Sequence, residues 1–496
     1  MTAKRRVTSF TPFTPIPVAL KIGMIETARP IRARRRAPAV RALSLLTAVA
    51  IAAVPAAAPV RAQEQVTSGL PIIRDTEIEN LLRDYATPIL KAAGLAQQNI
   101  KVIVLNDRSF NAFVMDGRHI FINAGALFDA KTPNEVIGVL AHETGHLAGG
   151  HLMRLREKMA QAQTQSIVAM LLGVGAMVAG ATAGRNTSVG QLGGAAVMAP
   201  QSAILHSLLA YVRTQEDQAD HAGVKFLTMT HQSARGMLDL FKRLSNEMLF
   251  GLSRADPYLQ THPLPPDRVA ALEVMAKASP YWDVKDPPAL QLRHDMVRAK
   301  LSGFLEGADT VARRYPPSDQ SLPARYARAI ATYRHSDLRA AIVQMDGLIR
   351  AEPDNPYFYE LKGQALLEGG HAAEAVAPLR SAVRLSHHAP LIDILLGQAL
   401  IGTNNPKLAD EAVGLLSEAL RTEPETPAAY MQLAMAYGRK GDIPHADLAS
   451  AQAAFARGDV KTAKQLAERA KHGLAIGSPA WVQADDIVNV KMPKLQ

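Results

Sequence analysis

The sequence predicts an α+β fold: a mainly helical domain with a small antiparallel sheet, followed by an α-solenoid. Three observations predict it. Short β-branched runs surround an Asp116-Gly117 turn. Long windows with apolar residues at three- and four-residue spacing flank those runs. From residue 322, prolines and small residues recur at a period near 34. At about 100–200 residues per domain, 496 residues suggest two to four domains. The boundaries read as a leader at 1–62, a first domain at 63–275, a linker with a helix at 276–321, repeats at 322–475 and a tail at 476–496.

Composition narrows the function classes. With 48% hydrophobic and 20% charged residues, a sizeable core can form. The net charge of +10 sits entirely in residues 1–62, which hold eleven Lys/Arg and one acid, Glu26. The remaining chain has 44 basic and 44 acidic residues. A protein that tracks phosphates needs its basic excess on the folded part, so nucleic-acid binding is excluded as a partner class. The chain has no cysteine, which excludes disulfides, Cys-ligated zinc and thiol catalysis.

The leader is read from order. Arg29, Arg32, Arg34, Arg35, Arg36 and Arg41 precede an uncharged run, Ala42 to Val60, ending in Val60-Arg61-Ala62. Basic, apolar, then small-x-small is a secretory signal peptide with cleavage after Ala62. Met24 in place of Met1 gives a leader of ordinary length.

Asp75 caps a helix whose apolar positions are Ile78, Leu81, Leu82, Tyr85, Ile89 and Leu90. Ile100 to Leu105 reads as a strand, and Ala112–Met115 with His119–Ile122 as a hairpin about Asp116-Gly117. Thr132-Pro133-Asn134-Glu135 opens a second helix, with a Thr cap, Pro in the first turn and Glu three after the cap. Two uncharged, Gly/Ala-rich stretches follow at 167–184 and 190–210. They read as a helical hairpin packed on the domain or resting at a membrane face, so 167–210 is the expected membrane-surface contact. A third helix runs from Tyr211 to Met229. In the last part, Pro323, Pro356, Pro390 and Pro427 are 33, 34 and 37 residues apart. Glu352-Pro353-Asp354-Asn355-Pro356 and Glu423-Pro424-Glu425-Thr426-Pro427 repeat one turn. Two helices per unit of that length resemble tetratricopeptide repeats.

The second helix carries the sharpest signal, His142-Glu143-Thr144-Gly145-His146. Four residues at about 100° each leave the two imidazoles about 40° apart, one turn along the same face. Both can reach one Zn²⁺, while Glu143 beside them can take a proton from water. A third ligand is needed. The position six after His146 is Leu152, and His151 is one residue out of register, a surface or supporting group. In Glu216-Asp217-Gln218-Ala219-Asp220, Glu216 and Asp220 share a helix face. Glu216 is the expected metal ligand, and Asp220 holds a ligand imidazole by its second nitrogen.

His142-Glu143-x-x-His146 followed by Arg213-x-x-Glu216-x-x-Ala219-Asp220 resembles metallopeptidase family 48, gluzincins that include the prenyl-protein proteases. Asn111-Ala112-Phe113 with Gly117, and Thr261-His262-Pro263 with Arg268, match as well. The resemblance covers about residues 70–275 and departs at Val212, where many members carry Ser. It implies a zincin-type protease domain, one Zn²⁺ per chain, and catalysis by Glu143. It also brings His262 and Arg268 near the metal: Arg268 as an oxyanion donor, or His262 as occupant of the open metal position in a latent state. The strand Ile120–Asn123 is expected to offer an edge for extended substrate. A leader ahead and repeats behind resemble the periplasmic members that serve outer-membrane assembly. The implied function is a zinc endopeptidase cleaving misfolded or stalled envelope proteins, with unfolded substrates and the outer-membrane assembly machinery as partners. The alternative is a chaperone or scaffold with latent proteolysis.

Overall fold

The computed structural model describes residues 70–164, 189–249, 258 and 261–491, the side chains of 189–206 and 248–249 excepted. The expected leader and the apolar stretch 167–184 lie outside the described residues. Among those described, no helix is long and apolar enough to cross a membrane.

The first core is built on α1 (Thr76–Ala92) and a sheet of β1 (Ile72–Ile73), β2 (Lys101–Leu105), β3 (Ala112–Val114) and β4 (His119–Asn123). The Asp75 side chain accepts from Ile78 N at 3.0 Å, and the six apolar positions expected on α1 are all buried. Strand order is β1-β2-β4-β3. The hairpin forms as expected, with Val114 opposite Ile120. The sheet is nevertheless mixed, since β2 and β4 run parallel. The chain leaving Leu105 passes beyond β4 before returning as β3, so β4 fills the interior place. Ile120–Asn123 is therefore no edge, and β3 is the terminal strand on that side, with β1 at the other.

α2 (Ala124–Asp129) leads into α3 (Pro133–Ala148). The Thr132 hydroxyl accepts from Glu135 N at 3.4 Å, while the Glu135 carboxylate accepts from Lys131 N at 3.0 Å, one residue further back than a capping box reaches. Residues 151–164 form α4. The second apolar stretch and the third helix prove to be one element, α5 (Val189–Met229). α6 (Arg235–Leu249) and α7 (Pro266–Lys277) close the core behind α3.

The stretch expected as a linker holds α8 (Pro288–Leu305), which is shared by two cores. Val297 and Leu301 join the first core. Met296 and Ala299 join the core of the first repeats, with Tyr326 and Phe358. Lys300, 4% exposed, sits between them. Its ammonium lies 2.6 Å from Asp75, 3.2 Å from Glu77 and 3.9 Å from Glu360. The Tyr326 hydroxyl donates to Glu77 at 3.0 Å, and Asn80 on α1 donates to the Tyr357 hydroxyl at 3.1 Å. One cation against three carboxylates leaves excess negative charge in a dry place. The charge is relieved by protonation: burial pushes the Glu360 carboxyl up to about 8, against the pull of Lys300.

The repeats are antiparallel helix pairs whose first members begin at Leu322, Pro356, Pro390 and Pro427. Each has Pro in its first turn, where the missing N–H costs nothing, so these prolines open the pairs. The interval of 37 comes from a short 3₁₀ turn, Pro406–Leu408, inserted within the third pair. Gly363 lets the second pair close: a Cβ there would stand 2.3 Å from the Leu379 side chain. The expected tail continues the array with a helix, Pro479–Asn489, burying Ala484 and Ile487.

Candidate metal centre

α3 presents the centre because its other face is fully committed. Val136, Ile137, Val139 and Leu140 are buried in the core, which turns His142, Glu143 and His146 toward α5. The two helices approach at Gly145, where a Cβ would lie 2.8 Å from the Ala219 carbonyl oxygen. Only a glycine permits that spacing, and the spacing brings Glu216 and Asp220 to the histidines.

The donor atoms converge. His142, His146, Glu216 and His262 each offer one ligand atom, all within 4.8 Å of one another. The Nε2 atoms of His142 and His146 are 3.1 Å apart. Glu216 Oε2 is 3.5 Å from the first and Oε1 3.4 Å from the second. His262 Nδ1 lies 3.1 Å from both Glu216 oxygens. A further layer holds these groups. Asp220 Oδ1 is 2.9 Å from His142 Nδ1. Arg268 donates to both Asp220 oxygens at 2.7 and 2.8 Å, and Nη1 lies 2.9 Å from Glu216 Oε2. Nη1 also donates to the Pro263 carbonyl at 2.8 Å. Arg268 thus faces Asp220, Glu216 and the Pro263 carbonyl with its Nε, Nη1 and Nη2 all engaged. His151, 4% exposed, stands with its Nδ1 3.0 Å from His146 Nδ1.

The residues fit a metal. Three imidazoles and one carboxylate are a donor set suited to a borderline ion such as Zn²⁺. Both Glu143 oxygens are buried without a hydrogen-bond partner among the described residues, and His262 Nε2 lies 3.7 Å from Oε1. A dry carboxylate in that condition is costly unless a proton donor belongs beside it. Burial pushes the Glu143 carboxyl up, despite the histidines nearby. Burial would also raise Glu216 and lower His142, but their partners prevail: His262 and His142 hold Glu216 far below the carboxylate range, and Asp220 and Glu216 raise His142 to about 9. His146 goes the other way, pushed down by burial and by the charge on His142.

Two aromatic residues had no signal in the sequence. The Phe241 ring meets His142 edge-on at 5.6 Å and lies under the Arg268 guanidinium at 5.6 Å. Tyr258, fully buried, packs on His262 at 4.8 Å, and its carbonyl accepts from His262 N at 2.6 Å. His262 therefore ends a helical turn instead of hanging in a loop. Neither aromatic belongs to a motif; each is defined by what lies across from it.

The chain matches the model of peptidase family M48 over residues 73–276, less than half of its length. It is similar to a Vibrio cholerae protein provisionally named a beta-barrel assembly-enhancing protease, 25% identical over 58% of this chain and 59% of that one. The match thus spans less than two thirds of that relative. The beta-barrel assembly-enhancing protease of Escherichia coli K12 is 22% identical over 71% of this chain and 70% of its own. Among solved structures, MamA aligns at 19% identity over 32% of this chain and 90% of that one, with a TM-score of 0.26, too low to carry an argument.

Proposed function

We propose that the protein is a periplasmic zinc endopeptidase that cleaves misfolded or stalled envelope proteins during outer-membrane assembly, with the repeats engaging clients or machinery. What carries the chemistry is the unpartnered Glu143 carboxylate beside four converging donors. What supports the setting is the leader-like start together with the names of the similar proteins. His142, His146 and Glu216 would hold the metal, which when bound supplies a Lewis acid that polarises a peptide carbonyl and acidifies water. Glu143 takes the proton from the attacking water and returns it to the leaving amine. Asp220 keeps His142 in the tautomer that leaves Nε2 free, and Arg268 fixes Asp220. Extended substrate adds to β3, a terminal strand, by main-chain pairing. The test is metal content with cleavage of an unfolded outer-membrane protein. One zinc per chain and loss of cleavage with chelator are expected; cleavage that survives complete metal removal refutes the assignment.

The second reading, a chaperone with latent proteolysis, rests on His262. A catalytic zinc site keeps one position open, and here a fourth donor stands in reach. If His262 plugs the site, His262→Ala raises basal cleavage at unchanged zinc content. Unchanged basal activity and unchanged substrate turnover would remove any role for it.

A further inference from the structure

The repeat turns differ in charge. Glu352-Pro353-Asp354-Asn355 and Glu423-Pro424-Glu425-Thr426 each place two acids before the next proline, whereas the turn between them is Ser386-His387-His388-Ala389. Both histidines take left-handed backbone, φ 52° and 61°. Their amides close the end of the helix Ala372–Leu385, His387 N donating to Arg384 O and His388 N to Val383 O. This geometry turns His387 and His388 toward a cavity of about 410 Å³ also lined by Arg380 and Arg384.

The cavity is unbalanced in charge. Glu411 is the one carboxylate in its lining and is taken by Arg380, at 2.6 and 3.0 Å, while His388 Nδ1 lies 3.4 Å from the buried Asp393. Arg384 has no carboxylate partner among the described residues, and the floor is apolar, formed in part by Leu396 and Leu415. Helix C-termini commonly carry cations. That preference explains one arginine; it does not explain a second, Arg384, left without a carboxylate beside Leu396 and Leu415 after Arg380 and His388 have found theirs. An arginine fork fits a carboxylate in two parallel bonds. Glu411 and the apolar floor count against a polyphosphate or a charged lipid headgroup. A cavity of this size holds a few side chains of an extended segment.

We propose that this cavity docks an acidic segment of a partner protein, with a carboxylate on Arg384 and an adjacent apolar side chain on Leu396 and Leu415. The proposal is independent of the metal centre. The test uses the full chain carrying Glu143→Gln, so that nothing is cut, and a short fluorescein-labelled peptide of alternating aspartate and leucine. Anisotropy should show binding that the asparagine–leucine counterpart lacks. Arg384→Glu should weaken it about tenfold or more, as loss of a charge-assisted pair requires. Glu411→Gln should tighten it by freeing Arg380, a gain that misfolding cannot produce. Equal binding of the two peptides, indifference to Arg384→Glu, or Arg384-dependent binding of phosphatidylglycerol vesicles in place of the peptide would overturn it.

Discussion

The metal centre and the junction around Lys300 both bury several ionisable groups, yet they are built to opposite ends. At the junction Lys300 meets Asp75 and Glu77, Tyr326 donates to Glu77, and burial pushes the Glu360 carboxyl up to about 8 with its Oε2 left without a hydrogen bond. At the centre Glu143 is answered by nothing but a histidine 3.7 Å away. Buried charge is therefore no mark of chemistry by itself. An unpartnered carboxylate oxygen is buried in both places, and only at the centre does it stand beside converging imidazole donors.

That contrast can be broken first at Glu143. Glu143→Gln should cut proteolysis by about 10²–10⁴-fold, the usual weight of a general base, with zinc content unchanged. Rates near wild type would make the open carboxylate incidental. At the junction the loss should be in stability: Lys300→Met leaves buried carboxylates uncompensated and should cost about 3–5 kcal/mol in denaturant unfolding. Asp220→Asn should weaken zinc affinity by about 10–100-fold, as loss of an imidazole's anchor does, measured by competition with a chelator. The smallest effect concerns pH. A Glu360 carboxyl raised on folding gives stability that is whole below its unfolded range and is lost as pH rises through about 8. Glu360→Gln should flatten the fall in melting temperature between about pH 5 and 9. An unchanged slope would mean that the neighbouring Glu77 carries the proton.

Some of this was legible in the chain. His142, Glu143 and His146 announce themselves because four-residue spacing is local geometry. Glu216 and Asp220 became legible only beside them, since two acids on a helix face usually meet water. Lys300 was hidden by its surroundings: the helix expected within 276–321 read as part of a linker, whereas it is shared by two cores. The β2–β4 pairing was hidden too, because parallel neighbours are not sequence neighbours. Gly145, Phe241 and Tyr258 matter for what they face across the fold, which no local pattern records.

The helix shared by two cores ties the order of synthesis to competence. A chain that has emerged only as far as α7 carries every donor of the centre but lacks Val297 and Leu301, which belong to the first core. Truncation before residue 288 removes part of the protease interior along with the array. Completing the first core therefore needs the chain through α8, which also supplies Met296 and Ala299 to the core of the first repeats.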